Sequence, residues 1–221
     1  MNWPEYAAAW SALHGGFDVD RASPLVRGWV RIAWRAGVLL GRLGIGPTTV
    51  TLIGLVLCLL VPVAALGGSP GLIGAAFLVL AASFADAFDG AVAVVTGRAG
   101  KAGFVVDSVA DRVGEVAWLV ALWLGGAPAW LAVAAGAVSW LHEYVRARAT
   151  AAGMAEIGAV TVGERPTRVS VAISGLLVAG VAGLIHPHWS GPVLTVAAAA
   201  WLALSVVGFA QLVAAVRRAL L

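Results

Sequence analysis

Four aspartates occur as two closely spaced pairs inside long apolar segments of the chain. Asp86 and Asp89 are three residues apart, and Asp107 and Asp111 are four apart, so each pair shares one face of a helix. An ionised carboxylate at bilayer depth costs roughly 2.5–3.5 kcal/mol, which indicates that the four groups have a function. Two carboxylate pairs that face each other repel unless a cation lies between them. Oxygen ligands without a nearby His or Cys favour Mg²⁺ or Mn²⁺.

Three kinds of site explain such carboxylates, and spacing alone does not separate them. One is a cation or proton pathway in a transporter, although the interiors of the last two apolar segments carry no charged residue to complete a path. Another is a structural network with Arg112 as the counter-ion. The third is a metal site that handles phosphates. Gly90, Ala93 and Gly103 favour the third because they leave room for a ligand, but small residues also serve helix packing in membranes.

The composition predicts an integral membrane protein. Of the 221 residues, 61% are hydrophobic and 11% are charged, whereas a soluble domain has roughly 45–50% apolar residues. So few polar groups cannot cover a water-exposed surface, and most of the surface must therefore face lipid. The ten tryptophans fit this setting because Trp prefers membrane–water interfaces. No nucleic-acid partner is expected, and the first 21 residues lack the pattern of a cleaved signal peptide.

Six apolar runs are long enough to cross a hydrocarbon core of roughly 30 Å as helices. We therefore predict an all-α, polytopic membrane protein in which residues 45–221 form a six-helix transmembrane domain. Residues 1–44 form a cytoplasmic N-terminal segment. Turn-rich sequences separate the runs. The predicted spans are 48–67, 71–96, 103–124, 127–149, 168–185 and 191–215.

The basic residues orient these six spans. The first, third and fifth loops between the spans contain no Lys or Arg, and the basic residues fall on the other side. The positive-inside bias makes that side cytoplasmic. Both termini and the aspartates are therefore expected at the cytoplasmic face of a cell membrane. The turn at 97–102 places Asp89 and Asp107 at nearly the same depth.

Residues 24–44 precede the first span and have the pattern of an amphipathic helix. Arg27, Arg31, Arg35 and Arg42 fall within an arc of about 80° at 100° per residue. A helix with a basic face that lies in the cytoplasmic interface explains this pattern. The alternative is a charge cluster that only sets the topology.

The aspartates also belong to a longer pattern that resembles the signature of the CDP-alcohol phosphotransferase family, D-x2-D-G-x2-A-R-x8-G-x3-D-x3-D. Val94 stands where the family carries Arg. Before the first span, GIGPTTVTLIGL is similar to the family's TPN-x-x-T segment through Pro47 and Thr51. The residues that match the signature at the family's spacing are Asp86, Asp89, Gly90, Ala93, Gly103, Asp107 and Asp111.

The resemblance implies a metal-dependent phosphatidyltransferase. Two divalent ions, Mg²⁺ or Mn²⁺, would lie among Asp86, Asp89, Asp107 and Asp111 and grip the diphosphate of a CDP-linked lipid such as CDP-diacylglycerol. An acceptor hydroxyl would attack the lipid-side phosphorus, CMP would leave, and Asp111 would be the general base. Membrane lipids would surround the protein, and a homodimer is usual in the family.

The resemblance also implies a set of donor-binding residues. Arg98 follows Val94 by one helical turn and is a candidate for the missing cation, although Gly97 and Gly100 predict that the helix ends there. The substitution at Val94 leaves open a catalytically impaired protein that binds lipid or nucleotide. The implied donor-binding residues are Pro47, Thr51, Gly90, Ala93, Arg98, Lys101 and Gly103.

A basic cluster points to the acceptor. The pieces YVRARA and GERPTR resemble stretches of actinobacterial phosphatidylinositol-phosphate synthases. This resemblance implies that Arg146, Arg165 and Arg168 bind the phosphate of a small phosphorylated alcohol such as inositol phosphate, since Arg suits phosphate recognition. Arginines that only obey the positive-inside rule are one alternative, and glycerol 3-phosphate or phosphatidylglycerol as acceptor is another. His142 and Glu143 adjoin the cluster without an assigned role.

Overall fold

The computed structural model describes residues 1–13, 16–154 and 160–220, and within these ranges every regular element is a helix. Helix α1, Trp3–Leu13, is followed by a 3-10 turn at Val19–Arg21 and by α2, Pro24–Arg42. A second 3-10 turn, Pro187–Trp189, precedes the last helix. The six further helices are α3 (Pro47–Ala65), α4 (Gly68–Thr96), α5 (Lys101–Leu124), α6 (Ala129–Ala151), α7 (Arg165–Ile185) and α8 (Ser190–Leu220). The all-α prediction is confirmed.

Helices α3 to α8 match the six predicted spans to within a few residues at each end. In the described part of the chain, four segments are long and apolar enough to cross a membrane, which agrees with a polytopic membrane protein. Helices α5 and α6 are of similar length, but they carry the charged residues of the motifs. The spans at α5 and α6 therefore stay predictions. The four segments are Pro47–Ala65, Gly68–Thr96, Arg165–Ile185 and Pro187–Leu220.

The chain divides into two compact units. The first comprises Met1–Val56 and Ala81–Asp111, and the second comprises Leu57–Leu80 and Arg112–Leu221. The division falls within α3 and α4, and also within α5, so that each of these helices contributes to both units. The aspartate motif belongs to the first unit, and the basic cluster of the predicted acceptor site belongs to the second.

In the first unit, aromatic side chains pack α1 against α2. Tyr6 is 1% exposed, and the rings of Trp3 and Trp34 meet edge to face at 5.7 Å. Helix α2 in turn lies along the last turns of α4, where the ring of Trp29 is 4.9 Å from that of Phe84. Aromatic pairs of this kind add to the free energy gained by burial. The predicted amphipathic helix is therefore present as α2, and it is held between α1 and α4.

In the second unit, α6 and α7 both pack against α8. Trp201 on α8 is 1% exposed and donates from Nε1 to Ser139 Oγ at 3.0 Å, and that hydroxyl lies 3.1 Å from the hydroxyl of Ser205. Helices α7 and α8 approach closely because Gly175 lacks a side chain. A Cβ added there would lie only 2.5 Å from the Ala197 Cβ. Small and hydroxyl-bearing residues are typical of helix interfaces in membranes.

Candidate active site

Three carboxylates converge in the first unit. Asp86 and Asp89 project from α4 and Asp107 projects from α5, and one oxygen of each lies within 4.8 Å of the others. Asp89 is 6% exposed, whereas Asp86 and Asp107 are half-buried. The three-residue spacing puts the first two on one face of α4, and the turn after α4 brings the next helix back beside them. The structure thus brings together three of the four predicted metal ligands.

A threonine from a third helix is bonded to this cluster. Thr51 on α3 donates from Oγ1 to Asp89 Oδ2 at 2.6 Å, and its Oγ1 also lies 3.2 Å from the carbonyl oxygen of Pro47. Thr51 is 7% exposed, so the contact is shielded from water. Pro47 begins α3, a position that suits proline because its φ is already helical. The hydrogen bond orients the Asp89 carboxylate within the cluster.

Two glycines leave open space beside the carboxylates. A Cβ added at Gly90 or at Gly103 would meet no other atom within 4 Å. Gly90 directly follows Asp89 on α4, and Gly103 precedes Asp107 by one turn on α5. A side chain at either position would occupy this space. Ala93, which follows in the motif, is half-buried.

The donor set of the cluster fits a hard divalent cation. Mg²⁺ and Mn²⁺ prefer carboxylate oxygens, and the group found among the described residues consists of three aspartates. Three negative charges this close repel one another strongly in the absence of a cation. Asp86, Asp89 and Asp107 are therefore the residues that would hold a metal.

Asp111 lies outside this group of three. It follows Asp107 by one turn on the same face of α5 and is half-buried. A general base has to reach the hydroxyl that it deprotonates rather than the metal, and a place beside the cluster is compatible with that task. The assignment of Asp111 as fourth ligand and as base stays a prediction.

Val94 and Arg98 have different surroundings at the end of α4. Val94 packs against the hydrophobic cluster that contains Tyr6, whereas Arg98 is exposed. Helix α4 ends at Thr96, and the next residue, Gly97, has a left-handed φ of +65°. The Arg98 backbone N–H bonds back to the Ala93 carbonyl at 3.0 Å, as in a Schellman motif. The end of the helix predicted from this glycine is confirmed.

The guanidinium of Arg98 reaches the start of α3. A Cβ added at Gly46 would lie 3.8 Å from Arg98 Nη1, and Gly46 directly precedes Pro47, one turn before Thr51. A positive charge therefore lies near the helix start that supports Asp89. Lys101 is exposed and is the first residue of α5.

The second unit contains a buried network of opposite charges. Arg168 on α7 is 2% exposed, and its guanidinium contacts Glu115 Oε2 at 3.3 Å and Glu143 Oε1 at 2.5 Å. Arg112 lies 3.3 Å from Glu115 Oε1 and 3.2 Å from Glu143 Oε1. Buried charges are tolerated only when they are paired in this way. Two arginines and two glutamates thus link α5, α6 and α7.

Arg146 is held by a second set of polar contacts. Its Nη2 contacts Glu164 Oε1, which also accepts from the Thr161 backbone N–H at 2.9 Å and from the Thr161 hydroxyl at 3.0 Å. His142 Nε2 lies 3.0 Å from Thr161 Oγ1. These contacts tie α6 to the residues that precede α7.

The three predicted acceptor arginines thus have different environments. Arg168 is buried between two carboxylates, Arg146 contacts Glu164, and the guanidinium carbon of Arg165 lies 6.0 Å from the centre of the Trp118 ring. The last distance is within the range of a cation–π contact. The sequence indicated the arginines but not the pairing of Arg146 with Glu164 or of Arg168 with Glu143. Partners separated by 18 or 25 residues leave no local pattern to detect.

The family model described as CDP-alcohol phosphatidyltransferase matches residues 45–216. The chain is 33% identical over 138 residues to archaetidylinositol phosphate synthase of Pyrococcus horikoshii, a match that covers 62% of this chain and 72% of that protein.

Solved structures of phosphatidylinositol phosphate synthase from Mycobacterium tuberculosis share the fold. The structure with CDP-DAG bound has a TM-score of 0.64 at 24% identity, with 82% of this chain and 94% of that chain covered. The structure in complex with manganese and citrate has a TM-score of 0.67 at 24% identity, with 84% and 88% covered.

Proposed function

This chain belongs to the CDP-alcohol phosphatidyltransferase family, and we propose that it transfers a phosphatidyl group from CDP-diacylglycerol to the hydroxyl of a phosphorylated alcohol and releases CMP. The observation that carries the proposal is the convergence of Asp86, Asp89 and Asp107 within 4.8 Å. These residues stand at motif positions of the matched family, and their hard oxygen donors suit the divalent ion that a diphosphate requires.

The donor diphosphate binds at the aspartate cluster. Mg²⁺ or Mn²⁺ ions held there, two in our proposal, would supply neutralisation of the diphosphate charge. Asp86, Asp89 and Asp107 hold these ions, and Thr51 keeps the Asp89 carboxylate oriented through its 2.6 Å hydrogen bond. The open space at Gly90 and Gly103 admits the donor.

The reaction exchanges one phosphorus–oxygen bond for another. The acceptor hydroxyl oxygen forms a bond to the lipid-side phosphorus, and the bond from that phosphorus to the oxygen shared with CMP breaks. CMP leaves with the electron pair, and the hydroxyl proton moves to the carboxylate of Asp111. A carboxylate with a low pKa serves as the base because charge neutralisation and positioning contribute most of the rate.

Arg98 supplies a positive charge at the donor site in place of the arginine that the motif has at position 94. Val94 is packed against an apolar cluster, and Arg98 is exposed with its guanidinium beside Gly46. Lys101 and the half-buried Ala93 complete the donor-binding set together with Pro47.

The acceptor is a small phosphorylated alcohol of the inositol phosphate type. The names of the relatives support this choice, because archaetidylinositol phosphate and phosphatidylinositol phosphate both carry such a group. We assign Arg146, Arg165 and Arg168 to the acceptor phosphate. Arg168 is buried between Glu115 and Glu143, so it would exchange one carboxylate contact for the phosphate. Their glutamate partners hold Arg146 and Arg168 in place, which lowers the entropy lost when a phosphate binds.

The protein acts in a cell membrane with its site and both termini at the cytoplasmic face. Basic residues on one side of the predicted spans support this orientation. The nucleotide then arrives from water while the acyl chains stay in lipid. A homodimer is part of the proposal by analogy with the family.

An acceptor panel tests the proposed function. Purified protein in detergent receives CDP-diacylglycerol and Mg²⁺ with inositol phosphate, free inositol, glycerol 3-phosphate or phosphatidylglycerol, and CMP release is measured. We expect the highest rate with inositol phosphate and background release with free inositol. A higher rate with glycerol 3-phosphate or phosphatidylglycerol would reassign the acceptor. Binding of the CDP-lipid without CMP release from any mixture would identify a binding protein instead.

A further inference from the structure

Helix α2 has three distinct faces. Val30, Ala33 and Gly37 form the buried face. A second face is apolar yet exposed. A third face, adjoining the second, is basic and exposed. The exposed apolar residues include Ile32, Leu39 and, directly after the helix, the C-cap residue Leu43, at 49%, 59% and 65% exposure, and the exposed basic residues are Arg31, Arg35 and Arg42.

The buried face holds α2 tightly along the last turns of α4. A Cβ added at Gly37 would lie 2.9 Å from the backbone carbonyl atoms of Ala91, and one added at Gly41 would lie 3.0 Å from the Thr96 side chain. Thr96 is the last residue of α4, which is long and apolar enough to span a membrane. Arg42 directly follows Gly41 and therefore lies near the end of a membrane span, where hydrocarbon gives way to head groups.

Two of the three exposed arginines have no counter-charge among the residues that the structure describes. Arg31 is placed over the ring of Trp3 at 5.0 Å. In the ranges 1–13, 16–154 and 160–220, no hydrogen bond or ion pair involves the side chain of Arg35 or Arg42. Both guanidinium groups are therefore available to an external anion.

The position of these arginines on the helix favours one kind of anion. Arg35 and Arg42 are seven residues apart, which is two helical turns and about 10 Å along the axis. Leu39 and Leu43 follow Arg35 at one-turn intervals and lie next to the basic face. A ligand that meets both faces has a negative head and an apolar body.

We propose that Arg35, Leu39, Arg42 and Leu43, here called the α2 patch, bind an anionic phospholipid. The two guanidinium groups hold the head-group phosphate, for which arginine is well suited, and the leucines contact the first part of an acyl chain. This lipid is a bound partner and not the substrate, because none of the four residues belongs to the donor or acceptor set. The inference therefore stands independently of the proposed reaction.

Lipid titration of the full-length chain tests the α2 patch. Protein in detergent is titrated with short-chain phosphatidylglycerol or phosphatidylcholine, and bound lipid is counted by native mass spectrometry. Loss of two arginines near an anionic lipid weakens binding by roughly 30-fold, since each contributes about a 5-fold preference. We expect the double variant R35Q/R42Q to lose the preference for phosphatidylglycerol by that factor. Because both side chains are exposed, the variant should unfold at the same temperature as the wild type.

A matched control separates the patch from a general effect of charge. The double variant R217Q/R218Q removes the same charge from exposed positions at the end of α8, and we expect it to retain the preference for phosphatidylglycerol. A third variant, L39S/L43S, should bind both lipids more weakly while it keeps the wild-type preference for phosphatidylglycerol over phosphatidylcholine. Unchanged binding by R35Q/R42Q, or an equal loss in R217Q/R218Q, would overturn the proposal.

Discussion

Thr51 Oγ1 on α3 donates a 2.6 Å hydrogen bond to Asp89 Oδ2 on α4, and the two residues are 38 apart in sequence. Asp89 is the most buried of the three clustered aspartates, and a carboxylate at such a place needs a fixed orientation to serve as a ligand. The Thr51 hydroxyl fixes the orientation of the Asp89 carboxylate without adding charge to the cluster. A partner that orients a ligand in this way is as much a part of a metal site as the ligand itself.

Replacement of Thr51 by valine should weaken the metal site while keeping the shape of the side chain. Loss of an orienting partner typically costs 10–100-fold in metal affinity or activity, and we expect a reduction of about 10-fold at limiting Mg²⁺. The measurement is CMP release as a function of Mg²⁺ concentration. Thr51→Ser retains the hydroxyl and is the control, expected near the wild-type curve. A Thr51→Val curve that superimposes on that of the wild type would show that the hydroxyl has no such role.

Replacement of Asp111 by asparagine distinguishes two roles of this residue, that of general base and that of metal ligand. If Asp111 accepts the proton, kcat should fall by about 10²–10⁴-fold while the Mn²⁺ affinity of the protein stays close to that of the wild type. Asp86→Asn is the comparison, since it should weaken Mn²⁺ binding itself. Equal losses of Mn²⁺ affinity in both variants would make Asp111 a ligand, and an undiminished kcat would remove it from the mechanism.

The helices of this protein follow from simple patterns in its sequence. Apolar runs of about 20 residues predict α3 to α8 because a hydrocarbon core of fixed thickness demands that length. Four arginines within one arc predict α2, which the structure places at Pro24–Arg42. The aspartate cluster was also predictable, since the spacing within Asp86–Asp89 fixes a shared face and a short turn returns the chain.

Contacts between distant residues were not predictable in the same way. The ion pair of Glu143 with Arg168 depends on how α6 and α7 pack, and no local pattern encodes it. Helix α1 was missed although a signal was present. Asn2 Oδ1 accepts from the Glu5 N–H at 3.0 Å and the Glu5 carboxylate accepts from the Asn2 N–H at 2.8 Å, which is a capping box. An Asn followed three residues later by Glu would have indicated a helix start.

Replacement of Glu143 by glutamine should destabilise the second unit. Glu143 accepts contacts from Arg112 and Arg168, and loss of its charge removes a charged hydrogen bond worth about 1.5–3 kcal/mol. The measurement is the thermal unfolding temperature in detergent. Asp20→Asn, a matched loss of charge at an exposed residue, is the control and should unfold close to the wild type. If both variants unfold together with the wild type, the network contributes nothing measurable to stability.

Docking of α1 should weaken at high pH because Tyr6 is buried. Burial raises the pKa of Tyr6 to about 12, above the usual 10 of a phenol. Between these values the unfolded chain loses the proton and the folded chain keeps it, so stability falls as pH rises from 10 towards 12 and is unaffected below 10. The measurement is the unfolding temperature between pH 8 and 11, relative to that of Tyr6→Phe. A difference that does not change with pH would contradict the prediction.

Metal dependence of the transfer is tested most directly by CMP release from CDP-diacylglycerol with inositol phosphate as acceptor, measured with Mg²⁺, with EDTA, and after Mg²⁺ is restored. We expect EDTA to abolish release in the wild type and added Mg²⁺ to restore it. Asp89→Asn, which removes a ligand of the cluster, should stay at background throughout. Release that persists in EDTA, or that is undiminished in Asp89→Asn, would exclude metal-dependent transfer at the aspartate cluster.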